Sequence, residues 1–228
     1  MRCLRVLSFL AVLGVLVHPS ISTGQSTQIA PRVTTPVNES SLVTLTGNVS
    51  SRARAEFDSG AASPSTQLSH VRLMLSRSSA QEAALSKYLA ELQDKSSPNY
   101  HKWLTPVQFG KLYGPADSDI AAIVAWLQSR GLRVDGVSSG RTNIAFSGSV
   151  AQIEQAFHTS IHSYQANGEQ FFSNNSNPKI PAALAGVVSG VARLNTIRPR
   201  PQHVANRLGK YDPATHRLKA VQPFQSRR

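Results

Sequence analysis

The sequence predicts an α+β fold, a ferredoxin-like antiparallel sheet covered by helices on one face, and three observations lead there. Between Gln67 and Leu194, short runs in which apolar and polar residues alternate, as in half-buried strands, are separated by runs in which apolar residues recur at helical spacing. The helical runs at Ser79, Thr105 and Ser149 open with Ser/Thr-x-x-Gln/Glu capping sequences. Ser139-Gly140 and Asn167-Gly168 join neighbouring strand runs through tight connections, which makes the pairing antiparallel. The resulting order is βαββαβ with an inserted helical segment.

Each element has its own signal. Val71, Leu73 and Leu75 alternate with Arg72 and Met74, which predicts a strand over Leu68 to Arg77. Ser79-Ala80-Gln81-Glu82 is a capping box, and Leu85, Tyr88, Leu89 and Leu92 form one face of the helix it opens. Pro98 is expected to end that helix, because proline biases its predecessor away from helical dihedrals. Thr105 restarts one, with Gln108 completing the box and Pro106 at the first helical position, and Gly114-Pro115 stops it within about two turns. Asp117 to Arg130 is a further helix with Ile120, Ile123, Val124 and Leu127 on one face and Gly131 to end it. Leu132 to Ser138 and Thr142 to Ser147 are expected as a strand pair. Ser149 to His158 follows as a helix packed through Ile153, Ala156 and Phe157, then Thr159 to Gln165 and Gln170 to Ser173 as strands. Pro181 to Leu194 carries Leu184, Val187, Val188 and Val191 on one stripe and is expected as a last helix, weakened by Gly186 and Gly190 at about 1 kcal/mol each.

The two ends read differently. Residues 1–24 have the form of a secretory signal: Arg2 and Arg5, an apolar run from Leu7 to Val17 too short to span a bilayer, then small residues Ser22 and Gly24. Export to the periplasm or beyond is the expectation. Cys3 is the single cysteine and would leave with the signal, so neither a disulfide nor a lipoprotein anchor is expected. Residues 25–66 have scattered apolar positions and read as a flexible leader, with a short strand possible only at Val43 to Val49 and two glycosylation acceptor patterns at Asn38 and Asn48. Residues 195–228 read as a basic linker in which Arg198-Pro199-Arg200-Pro201 and Asp212-Pro213 exclude regular structure.

The net charge of +12 sits mainly in that tail. Gln67 to Ile180 holds ten Lys and Arg against eight Asp and Glu, about +2, whereas Pro181 to Arg228 holds nine against one, about +8. A nucleic-acid role is not expected: Phe146 shares a strand face with Ile144 and points to the core, and Asn143 and Ala145 occupy the face that would need stacking rings. No Gly-x-Ser-x-Gly elbow, phosphate loop or helical histidine pair is present; His158 and His162 straddle a helix-to-strand junction and read as surface residues. No catalytic site, metal or cofactor is expected.

The densest local pattern is Ser96 to Tyr113, where Tyr100, Trp103 and Phe109 stand among two proline-set turns. Packing alone leads us to expect these rings to fill the gap between two helices and a sheet. The run Ser97-Pro98-Asn99-Tyr100-His101-Lys102-Trp103-Leu104-Thr105-Pro106, with Phe109 and Tyr113-Gly114-Pro115, resembles the signature of the activation prosegment of the sedolisins, the kumamolisin-like serine-carboxyl peptidases. Phe146-Ser147-Gly148 with Val150 to Phe157, and Ile180 to Leu184, are similar to the same family, so the likeness spans about Leu68 to Leu194.

The resemblance implies an α/β prosegment domain over residues 67–194 whose partner is the catalytic domain of a sedolisin-type peptidase. It implies that the domain templates folding and blocks the active-site cleft until acid releases it. It marks Pro98, Tyr100, His101, Trp103, Leu104, Thr105, Pro106 and Phe109 as signature and partner-binding candidates. Sedolisin catalytic domains carry a serine in a Gly-Thr-Ser context with a helical glutamate and aspartate, and this sequence lacks that context. The expectation is therefore a signal, prosegment and connecting tail without the enzyme. A free-standing secreted inhibitor or binding module of the same fold is the alternative, and a precursor seen through a fragment is the third reading.

Overall fold

The computed structural model describes residues 29–166, 168–197 and 210–219, and the fold is α+β. The expected signal segment and most of the expected tail lie outside the described residues, as does Asn167 of the expected hairpin turn. Four strands form the central sheet: β3 (Gln67–Leu75), β4 (Arg133–Val137), β5 (Asn143–Ser149) and β9 (Val188–Ala192). They lie in the order β4-β5-β3-β9, every neighbour antiparallel. Leu68, Val71 and Leu73 of β3 face Ile144 and Phe146 of β5 and the stripe of α3 (Asp117–Ser129) and α4 (Val150–Phe157). Phe157 stands at the centre, edge-on to Trp126 with ring centroids 5.4 Å apart and stacked on Phe146 at 5.5 Å.

Local signals decide most ends. Ser149 and Gln152 complete the expected capping box of α4. Gly131 adopts φ +71 and closes α3 in a Schellman motif: its N–H donates to Gln128 O at 2.9 Å and the N–H of Leu132 to Leu127 O at 3.1 Å. The box of α1 (Ser79–Glu91) falls one residue earlier than expected, on Ser78 with Gln81. The same helix ends at Leu92, well before Pro98, and Pro98 instead sits second in a turn whose Tyr100 N–H donates to Ser97 O at 3.1 Å.

Several expectations are overturned, the absence of regular structure in the tail among them. Pro181 to Leu194 is not a helix. It forms the end of β8 (Lys179–Pro181), a 3-10 turn at Ala182–Leu184 and the edge strand β9, paired with β3 from Arg72↔Ala192 to Leu75↔Val188. Two glycines and β-branched Val187, Val188 and Val191 weaken the helix, and the open edge of β3 supplies a ladder for the extended form. The run near Thr159 to Gln165 does form a strand, β6 (Ile161–Ala166), yet it closes a separate three-stranded sheet with β7 (Glu169–Asn174) and β2 (Asp58–Ala61) instead of the central one.

A further correction concerns residues 25–66, whose described part is built into the domain. β1 (Leu42–Thr44) pairs with β8, β2 pairs with β6, and Leu45 and Ala62 are buried in the main core. Asn48 Oδ1 accepts from the N–H of Val191 at 2.7 Å, and its Nδ2 donates to Leu45 O and Thr46 O, so the amide of that acceptor pattern is occupied. His158 and His162 are likewise not free surface groups: they meet Glu39 at 3.6 Å and Asp58 at 2.8 Å, both on this segment. In the tail, Asp212-Pro213 opens the turn of a small hairpin between β10 (Lys210–Asp212) and β11 (Arg217–Lys219); proline fits there because the turn needs no N–H from it.

Candidate interaction surface

The signature residues lie on an arm made of α1, the connection 93–105 and α2 (Pro106–Tyr113). No residue of the arm belongs to the main core, which is built from the sheet, α3, α4 and the N-terminal segment. The arm has its own small interior of Leu85, Leu92 and Tyr113, all buried, with Tyr88 and Phe109 half-covered beside them. Tyr113 meets Tyr88 with ring centroids 6.2 Å apart and Phe109 at 5.6 Å, and the Arg77 guanidinium lies 5.8 Å from the Phe109 ring. Burial raises the Tyr113 phenol pKa, the neighbouring Tyr88 and Glu91 adding to the effect.

The connection is pinned at several points. His101 is held at φ +56, its N–H donating to Leu92 O at 3.2 Å, and the Tyr88 hydroxyl donates to the carbonyl of Lys102. Thr105 and Gln108 form the expected capping box, and Pro106 stands at the start of α2. At the far end, a Cβ on Gly110 would meet Ser139 O at 2.5 Å, so the glycine lets α2 lie directly on the turn between β4 and β5. Arg141 of that turn bonds Pro115 O at 3.1 Å and Asp117 at 2.5 Å.

These contacts divide the signature. Phe109 and Tyr100 are half-covered, Leu104 is half-buried, and Pro98, Thr105 and Pro106 shape the backbone while exposed. Trp103 does not fill the gap between helices: 65% of it is exposed. Tyr100, His101 and Trp103 instead form a stack, with centroids 3.8 Å apart for the first pair and 6.1 Å for the second, and Trp103 at its end. The gap needs no further ring, because Tyr88, Phe109 and Tyr113 already occupy it. Sequence reasoning missed three more apolar side chains on the same arm, Leu89, Val107 and Leu112, each 53% exposed. Spacing puts Leu89 on the same helix face as Leu85, yet α2 covers only one flank of that face and Leu89 lies on the other.

The charges of the arm are asymmetric. Glu82 pairs with Arg77 at 2.6 Å, Glu91 accepts from Asn99 at 2.7 Å and lies 3.8 Å from Lys87, and Asp94 is held by Ser96. The backbone N–H and then the hydroxyl of Ser96 lower the Asp94 pKa. Lys95, Lys102 and Lys111 are exposed and have no carboxylate partner among the described residues. Elsewhere, the described residues hold no group of three His, Cys, Asp or Glu side chains placed to share a metal ion. The closest approach to a catalytic grouping is at the bulge of β3, where Asp135 accepts from Ser147 Oγ at 2.5 Å and Arg133 Nε at 3.1 Å and meets His70 at 3.4 Å. There the Ser147 hydroxyl donates to Asp135 and accepts the backbone N–H of His70 at 3.0 Å, so the cluster ties the bulge of β3 to β4 and β5, and its carboxylate is held below its ordinary pKa first by that serine.

Comparison with family models matches residues 57–197 to the pro-kumamolisin activation domain. The chain belongs to that family. Among curated relatives, xanthomonalisin of Xanthomonas sp. (strain T-22) is 35% identical over 114 residues, covering 50% of this chain and 14% of the relative. Sedolisin of Pseudomonas sp. (strain 101) is 28% identical over 121 residues, covering 53% of this chain and 21% of the relative. The chain thus matches a seventh to a fifth of the length of these two sedolisin-family peptidases. The pro-kumamolisin match runs from Phe57 to Ile197, two side chains that both pack against the small second core of Tyr164, Ala166 and Phe171. Activation domains of this family are propeptide, not catalytic, parts of their precursors, and no helix among the described residues is long and apolar enough to cross a membrane.

Proposed function

We propose that this chain is the prosegment of an exported sedolisin-type peptidase precursor, and that it binds the peptidase domain, assists its folding and keeps it inactive until acid releases it. The observation that carries this reading is the family match over 57–197, which coincides with a packed domain. A preformed domain suits the role, because a surface ordered before binding loses little conformational entropy when the partner docks. Export follows from residues 1–24, with their basic start and short apolar core.

Acid release calls for groups that change charge as pH falls, and carboxylates are the stronger candidates. His101 sits inside the signature, but its ring is stacked on Tyr100 and its backbone is tied to Leu92, which makes it part of the loop's construction. The test is affinity for a mature sedolisin-type peptidase domain, inactivated at its serine, from about pH 3 to 8, with the refolding yield of that domain measured with and without the chain. Tight binding near neutral pH that fails with a midpoint near about pH 4, unchanged in His101→Gln, is expected. Absence of binding and of any effect on refolding overturns the reading.

A further inference from the structure

We infer that the arm docks on the peptidase domain through its exposed apolar side chains, Trp103 first among them, with Leu89 and Leu112 on the two helices that its connection joins. This rests on the prosegment reading and adds the location of the contact and the character of the partner face. Four of the seven exposed large apolar side chains of the described residues are on the arm: Leu89, Trp103, Val107 and Leu112. An exposed tryptophan is a common centre of binding energy when its position is fixed in advance. Here it is fixed by the His101 and Tyr100 rings behind it, by the left-handed His101 backbone and by the capping box that follows.

The construction of the arm points the same way. Its residues contribute nothing to the main core, yet two complete capping boxes, a glycine in contact with the β4–β5 turn and the Arg141 bonds hold it rigid. Rigidity that the core does not require serves the surface the arm displays. The relatives that share this domain continue over roughly another four-fifths of their length, and a domain in that remainder is the partner to which the face is assigned. Charge defines the partner further. Lys95, Lys102 and Lys111 are exposed on the same arm and have no carboxylate partner among the described residues, so a partner face that carries Asp or Glu as well as apolar groups complements it.

The experiment uses the full chain and the same serine-inactivated peptidase domain. Trp103→Ala and Leu112→Ser are compared with wild type and with Tyr211→Ala, an exposed position on the separate hairpin. Each variant is followed by thermal melting, by affinity at neutral pH and by sedimentation of the chain alone. Expected are melting temperatures close to wild type, with affinity reduced about 30-fold or more for Trp103→Ala, less for Leu112→Ser, and unchanged for Tyr211→Ala. Lys102→Glu should slow association and weaken its dependence on salt. Wild-type affinity retained in both arm variants overturns this inference alone, whereas failure of wild type to bind removes the prosegment reading with it. If Trp103→Ala unfolds the domain, Leu112→Ser decides. Self-association of the chain that Trp103→Ala abolishes would assign the face to a second copy and overturn the proposal as well.

Discussion

Asp119 Oδ1 accepts the backbone N–H groups of both Arg32 and Val33, at 2.9 and 2.8 Å, across 87 and 86 residues of chain. Asp119 is fully buried in the first turn of α3, and the guanidinium of Arg32 donates to Gly186 O and Ser76 O, both at 2.6 Å. Burial lowers the Arg32 pKa, and the Asp119 charge opposes that shift. The N-terminal segment is therefore anchored to the same helix that covers the central sheet. Asp119→Ala should cost about 3 kcal/mol, because it leaves two backbone donors without their acceptor and removes the negative charge near the partly buried Arg32 guanidinium. Chemical denaturation measures it; a loss under about 1 kcal/mol would show that the segment contributes little to the domain.

Gly110 and Gly186 differ in what a side chain would meet. A Cβ at Gly110 would stand 2.5 Å from Ser139 O, whereas none of the structure lies within 4 Å of one at Gly186. Gly110→Ala should displace α2 from the β4–β5 turn at a cost of about 1–3 kcal/mol, and Gly186→Ala should be close to neutral. Equal melting temperatures for the two variants would contradict the direct contact of α2 with that turn.

Asp135 gives the domain a pH dependence of its own. The Ser147 hydroxyl, then Arg133 and the charge of His70, hold its carboxyl below the usual carboxylate range against the opposing effect of burial. A depressed folded pKa adds stability that is complete above the unfolded value of about 4 and is lost as pH falls through the folded value. Asp135→Asn should thus lower the melting temperature at neutral pH, and the difference from wild type should close in acid. A constant difference from about pH 2 to 7 would mean that packing, not ionisation, explains the loss.

Limited proteolysis should give a resistant fragment that retains Leu42 to Ala61, since those residues are paired with β8 and β6. Asp58 is held in its charged form first by the Gly60 N–H and then by His162, so β2 should loosen before the central sheet as pH falls. Hydrogen exchange across acid titration reads that order directly. Exchange of β3 and β5 amides before those of β2 would reverse it.

Local sequence determined the elements whose causes are local. Capping boxes at Thr105 and Ser149, the Gly131 stop, the β4–β5 pair and the inward faces of Ile144, Phe146, Ile153 and Phe157 are all legible because a few neighbouring residues fix each backbone turn or stripe. The family signature is legible for the same reason, being a contiguous string. Tertiary structure alone decided three matters. Val188 to Ala192 became a strand because the β3 edge offered ladder bonds that no helical preference could match. Residues 29–61 joined the domain through long-range polar contacts, Asp119 accepting from Arg32 while Glu39 and Asn48 of the segment meet Arg130 and Val191, and such contacts leave no periodicity in the segment. Trp103 faces solvent because three other rings, brought together from two helices, had already filled the arm's interior, and the packing of one helix on another is not encoded in the spacing of either.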